Sequence, residues 1–133
     1  MSTDGNKAIV REFIEQVFER GQADAVDRLV TPDFVSHGLP GNGPEVMKEA
    51  IARVGRGLSD ARFEIHEVVG EGELVAVRVE STATHSGDFM GMPATGKTYT
   101  IEELHLFRLL DGRVAEHWHQ MDGLGMLKQL GVG

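Results

Sequence analysis

Two hydrophobic periods divide the chain. Ile9, Val10, Phe13, Ile14, Val17 and Phe18 recur three and four apart, and Gly21 stops the run; this predicts an amphipathic helix with one wide apolar face. Ala23 to Val30 predicts a second, short helix, closed at Thr31-Pro32 because the residue before proline is pushed out of the helical region. Phe34 to His37 fits a short strand, and GLPGNGP fits a loop. Pro44 then opens a third helix with the apolar stripe Val46, Met47, Ala50, Ile51 and Val54.

After Ser59 the period becomes two. Phe63, Ile65 and Glu67 alternate, as do Val75, Val77, Val79, Ser81, Ala83 and His85, with GEG between the runs as a hairpin signal. Tyr99, Ile101, Glu103, His105, Phe107 and Leu109 form another alternating set. Asp111-Gly112 is a two-residue hairpin turn that leads into Val114, Glu116, Trp118, Gln120 and Asp122. Leu124 to Leu130 closes the chain with a short helical segment. Helices first and strands later imply one α+β domain over residues 1–133, its helices packed on one face of a largely antiparallel sheet.

Composition removes several function classes. A net charge of −8 argues against a nucleic-acid partner, which needs clustered Lys and Arg. No apolar run is long enough to span a bilayer, so no membrane partner is expected. The opening MSTDGNK lacks an apolar signal core, which predicts a cytoplasmic protein. With no cysteine, chemistry rests on carboxylates, imidazoles, hydroxyls or a borrowed cofactor.

Gly91 to Thr98, GMPATGKT, matches the phosphate-loop pattern letter for letter. That motif holds phosphate only between a buried strand and a helix N-terminus. Here HSGDFMG precedes it and the strand-like TYTIEELHLFRL follows it, so the stretch is expected to be a strand-connecting rim, with Phe89, Met90 and Met92 as apolar lip residues.

A carboxylate–aromatic constellation is the stronger lead. Period-two spacing puts Trp118, Gln120 and Asp122 on one face of the last strand. Turned into a helix-covered concavity, Asp122 would sit beside indole in low dielectric, where a carboxylate becomes a stronger base; the alternative is that Asp122 simply N-caps the last helix. His85 and His105 share a face with core residues, and His37 ends a short strand beside a loop. Each is a candidate pocket residue or, equally, an imidazole bonded to backbone. Tyr99 and Glu103 lie on the His105 face as candidate substrate-lining groups. His117 and His119 form an H-x-H pair of opposite parity to Trp118, expected to look outward, and spacing supplies no firm third ligand; no metal and no cofactor are expected.

The runs F-V-S-H at Phe34, T-H-S-G-D-F-M-G-M-P-A-T-G-K, E-x-H-x-F-R at Glu103, and D-G-R-V-A-E-H-W-x-x-x-D-x-L-G-x-L-x-Q-L-G together resemble the SnoaL-like polyketide cyclase family. That family belongs to the nuclear-transport-factor-two-like superfamily. The resemblance implies a cone-shaped α+β barrel, with N-terminal helices packed on a curved, largely antiparallel mixed sheet and a short C-terminal helix. It further implies a cofactor-free intramolecular aldol cyclisation of a hydrophobic small molecule. Asp122 would abstract a proton beside a carbonyl, Trp118 would wall the pocket, and His37, His85, His105 and Gln120 would donate to the oxyanion. A homodimer or higher homo-oligomer is implied as well. Two alternatives stay open on the same scaffold: a cofactor-independent hydroxylase or hydrolase, and a non-catalytic ligand-binding domain.

Overall fold

Ser2 starts the first helix in this computed structural model, which describes residues 2–132. Its side chain accepts the Gly5 N–H at 3.0 Å, as an N-cap should, so α1 (Thr3–Phe13) begins earlier than its apolar stripe. The helix then widens into a π-helical segment, Ile14–Glu19, whose end is marked by Arg20 N–H donating five residues back to the Glu15 carbonyl at 3.0 Å. Glu19 ties that segment to the sheet by accepting the Phe63 N–H at 2.8 Å. Next come α2 (Ala23–Leu29), β1 (Val30–Ser36) and α3 (Pro44–Gly57), the last with proline in its first turn as expected. The first strand starts earlier than its sequence signal because Pro32 costs nothing on an exposed edge.

The remainder is β2 (Leu58–Glu71), β3 (Leu74–His85), β4 (Thr98–Leu110), β5 (Arg113–Met121) and α4 (Gly123–Leu130). These form a five-stranded mixed sheet in the order β1-β5-β4-β3-β2, with β1 parallel to β5 and every other pair antiparallel. The sheet is not closed; helices complete the cone. Irregularities in β2 between Ser59 and Arg62 and between Ile65 and Glu67 bend the long strand around them.

The inner face buries Val75, Val77, Val79, Phe107 and Leu109 against Val10, Phe13, Val17, Val26 and Phe34. Phe13 meets Phe107 edge-on at 5.5 Å. A second apolar cluster, Leu58, Ala83, Tyr99, Ile101, Met126 and Leu130, sits where α4 folds back over β4.

One irregularity decides what the last strand presents. On β5, Val114 pairs with Leu109 and Glu116 pairs with Arg108, leaving Ala115 as an extra residue. Val114 and Ala115 are both buried, and alternation restarts after them in the opposite phase. A one-residue slip moves every following side chain to the other face. The expected shared face of Val114, Trp118, Gln120 and Asp122 is therefore corrected. His117 and His119 point inward, while Glu116, Trp118 and Gln120 point outward.

Candidate active site

Four strands, β1, β3, β4 and β5, supply the inner-face cluster. Alternation on β4 brings Glu103 and His105 inward, as expected, and β5 sets His119 opposite His105 and His117 opposite Phe107. Phe34 and Ser36 share the inward phase of β1, and Ser81 lies on the inner face of β3. Ser36, Ser81, Glu103, His105 and His117 are all buried, whereas His119 keeps an exposed edge. Phe18, in the π-helical segment, lies over the imidazoles, 5.2 Å from His105 and 5.5 Å from His117.

Hydrogen bonds join these residues into one chain. Ser36 Oγ lies 2.8 Å from His117 Nδ1, His117 Nε2 lies 2.8 Å from His105 Nδ1, and His105 Nε2 lies 2.9 Å from Glu103 Oε1. Ser81 Oγ donates to Glu103 Oε2 at 2.5 Å. Burial pushes the Glu103 carboxyl up, but the bonds from His105 and Ser81 and the nearby His119 outweigh it and hold it below the ordinary 4.5. An ionised carboxylate only accepts, so His105 carries a proton on Nε2; as the neutral ring it offers a lone pair at Nδ1. His117 must then donate from Nε2, and its Nδ1 accepts the Ser36 hydroxyl. Every member is paired, which is what lets a polar chain persist in an apolar core.

Two of the imidazoles, His117 and His119, are held toward the neutral form. Burial first, and then His105, His119 and His37, hold His117 well below the ordinary 6.5. Burial and His105 lower His119 too, with Glu103 pulling the other way. Tyr99, buried under α4, is raised to about 12 by burial and by the Glu103 charge. The cluster thus has an ionised carboxylate at its dry end and a neutral imidazole at its accessible edge.

The other expected site residues are distributed elsewhere. Asp122 is not buried beside indole: it is exposed, and its Oδ1 accepts the Gly125 N–H at 2.9 Å as the N-cap of α4. A Cβ on Gly125 would overlap the Asp122 carboxylate and push it out of this capping position. His37 and Trp118 belong to the outer face, where their rings stack at 4.7 Å and 8°. His37 Nε2 also meets Glu116 Oε2 at 3.0 Å, and Arg108 Nε donates to Glu116 Oε1 at 2.9 Å. Gln120 is exposed on that same face.

His85 is inward but stands beyond Tyr99. Its Nδ1 lies 3.1 Å from Thr95 Oγ1 and its backbone pairs with Gly96 and Lys97, so it organises the connecting loop. That loop is no phosphate cradle: it runs from β3 into β4, with Phe89 and Met92 bridged to each other and Met90 80% exposed. Ser36, Ser81 and His117 lay outside the expected site. Ser36 shares the phase of Phe34, and Ser81 shares that of Val79, so parity alone marks both.

The outer face carries a shallow depression of about 510 Å³, lined chiefly by Val69, Ala76, Leu104, Leu106, Trp118 and Arg78. It is open sheet surface, and His105 and His119 also border it.

A family model described as SnoaL-like polyketide cyclase matches residues 8–130. The chain is 30% identical over 129 residues to aklanonic acid methyl ester cyclase DnrD of Streptomyces peucetius, covering 92% of this chain and 88% of that one. Nogalonic acid methyl ester cyclase of Streptomyces nogalater is 31% identical over 120 residues, covering 86% and 89%. Among solved structures, TsrD from Streptomyces laurentii superposes with a TM-score of 0.90 at 24% identity, covering 100% of this chain and 99% of that one, and shows the shared fold.

Proposed function

The chain belongs to the SnoaL-like polyketide cyclase family, and on that premise we propose that it closes a ring on a polyketide methyl ester by cofactor-free aldol chemistry at the inner-face histidines. The observation that carries this reading is the placement of His119. It presents a neutral imidazole edge against a dry, fully paired chain that ends in an ionised carboxylate.

The steps follow from that geometry. His119 takes a proton from a carbon flanked by carbonyls, and the positive imidazolium that forms is favoured by the Glu103 charge. The enolate carbon attacks a second carbonyl of the same molecule, forming the new C–C bond. The resulting alkoxide recovers a proton from the imidazolium, so His119 ends as it began. Phe18 supplies an apolar wall beside the imidazoles. Asp122 enters as the comparison residue, because the family resemblance gives it the base role while the geometry gives it a helix cap.

Turnover of aklanonic acid methyl ester by two variants separates these assignments. His119→Ala is expected to lower kcat by about 10²–10⁴, the usual contribution of a positioned base. Asp122→Asn, which keeps a good capping residue, is expected to stay within a few-fold of the parent. The reverse pattern transfers the base to Asp122 and sinks the histidine mechanism.

The proposal includes a homodimer formed through the outer face. Val69 is 64% and Leu104 is 58% exposed there, beside Ala76, Leu106 and Trp118, with Arg78 bridging Glu67 and Glu102 at the rim. Contiguous exposed apolar sheet surface of this kind marks an association surface. Light scattering after size-exclusion chromatography checks it: a monomer at micromolar concentration rules the dimer out.

A further inference from the structure

We propose that His105, His117 and His119 form a binding site for one divalent transition cation of the zinc class. A ring nitrogen from each of the three lies within 4.8 Å of the other two. Their ring centroids form a nearly equilateral triangle, 5.1 Å for His105–His117, 5.1 Å for His105–His119 and 5.4 Å for His117–His119. Three imidazoles around one zinc, each at the usual Zn–N distance of about 2.0–2.1 Å, place their centroids about 5 Å apart. The spacing is thus that of a three-histidine centre. His105 and His117 lie edge to edge, because a 2.8 Å contact between nitrogens at a 5.1 Å centroid distance leaves no room for face-to-face overlap.

A second, independent feature points the same way. Histidine ligands characteristically donate their other ring N–H to a carboxylate, a backbone carbonyl or water, which fixes the tautomer and raises ligand basicity. Here His105 has Glu103 Oε1 at 2.9 Å behind Nε2, and His117 has Ser36 Oγ at 2.8 Å behind Nδ1. Ser81 in turn holds the carboxylate. Loading first moves the His117 proton from Nε2 to Nδ1, and the Ser36 hydroxyl changes from donor to acceptor. The His105 and His117 rings, which point at each other across their hydrogen bond, then each turn by roughly 35° so that their lone pairs meet on one ion, opening the nitrogen separation by about 0.5 Å to tetrahedral spacing. The exposed edge of His119 leaves a fourth position for water or a substrate oxygen.

The site uses side chains of the proposed acid/base centre, yet its test needs no substrate. Chelator-stripped protein is titrated with Co²⁺, followed by visible absorption and calorimetry. One ion per chain with an intense tetrahedral band is expected, and Zn²⁺ should displace it. His119→Ala, at an exposed position that does not threaten folding, should abolish the band. Glu103→Gln should keep the stoichiometry and weaken binding about 10–100-fold. Absence of stoichiometric binding, or unchanged binding in His119→Ala, overturns the site. So does loss of binding only in His66→Ala, which would assign the ion to the exposed Glu64–His66–Glu80 group. Because His119 has one lone pair for either task, zinc should suppress turnover in step with occupancy. A filled site with turnover intact sinks the His119 base while leaving the metal site standing.

Discussion

The two faces of the β4–β5 pair are built from the same kinds of residue and behave differently. Inside, Glu103, His105 and His117 are buried, fully paired and packed beneath Phe18. Outside, Glu116, His37, Arg108 and Trp118 make an equally connected set in partial contact with water. Glu116 is lowered chiefly by its bond from His37; burial, the next influence, opposes this, and the bond and charge of Arg108 then add to the lowering. For Glu103 burial is the largest influence, and three neighbours are needed to overcome it. Removing one partner outside leaves a solvated charge; removing one inside leaves an orphan in low dielectric. Connectivity alone is thus no guide to energy. Water access decides which network is suited to proton transfer.

The largest predicted contrast is catalytic. His119→Ala should lower kcat by about 10²–10⁴, while His37→Ala, at a comparable exposure on the other face, should alter it less than about threefold. Steady-state kinetics on one substrate checks both, and equal losses would erase the distinction between faces. Next comes stability. Glu103→Ala strands the His105 N–H and the Ser81 hydroxyl, at about 1–3 kcal/mol for each unpaired donor in urea unfolding. Glu116→Ala should cost less than about 1 kcal/mol, as half-exposed ion pairs do.

A smaller effect is expected with pH. His117 and His119 bind protons less readily when folded than when unfolded, so the unfolded state gains protons as pH falls through about 6.5. Stability should therefore decline from pH 7 to pH 5. The buried His117 adds up to about 1.4 kcal/mol per pH unit, whereas the exposed His119 adds much less because solvent screens it. Glu103 acts in a lower window: its folded value lies below 4.5, so its contribution is present above that pH and lost as pH falls through the folded value. Thermal melts of the parent and His119→Ala give the test, and a pH-independent midpoint in both would contradict a buried neutral His117. Smallest of all on the folded chain itself, Leu104→Glu should leave the monomer's melting behaviour nearly unchanged while halving the mass in solution.

Much of this molecule could be read from its letters, because its elements carry strong periods. The apolar stripes of α1 and α3 and the alternation of β3 and β4 need only helix and strand geometry, and they place Glu103 and His105 inward correctly. The inversion of β5 could not be read. No glycine or proline marks Ala115, and Trp118 is the residue hydrophobicity would send inside. The pairing of Ser36 with His117 joins positions 81 residues apart and depends on the parallel register of β1, which local pattern does not encode. The cap role of Asp122 was visible as an alternative, since aspartate before a short apolar helix is what an N-cap looks like.

The extra residue at Ala115 works like a reading-frame shift written in space. In one frame H-W-H-Q spells an imidazole wall facing the helices; in the other it spells an indole wall, with the imidazoles turned to the outer face of the sheet. Substitutions in this strand tune one face at a time. A single-residue deletion there exchanges the two faces wholesale, so relatives that differ in length at this point should be sorted by frame before their side chains are compared.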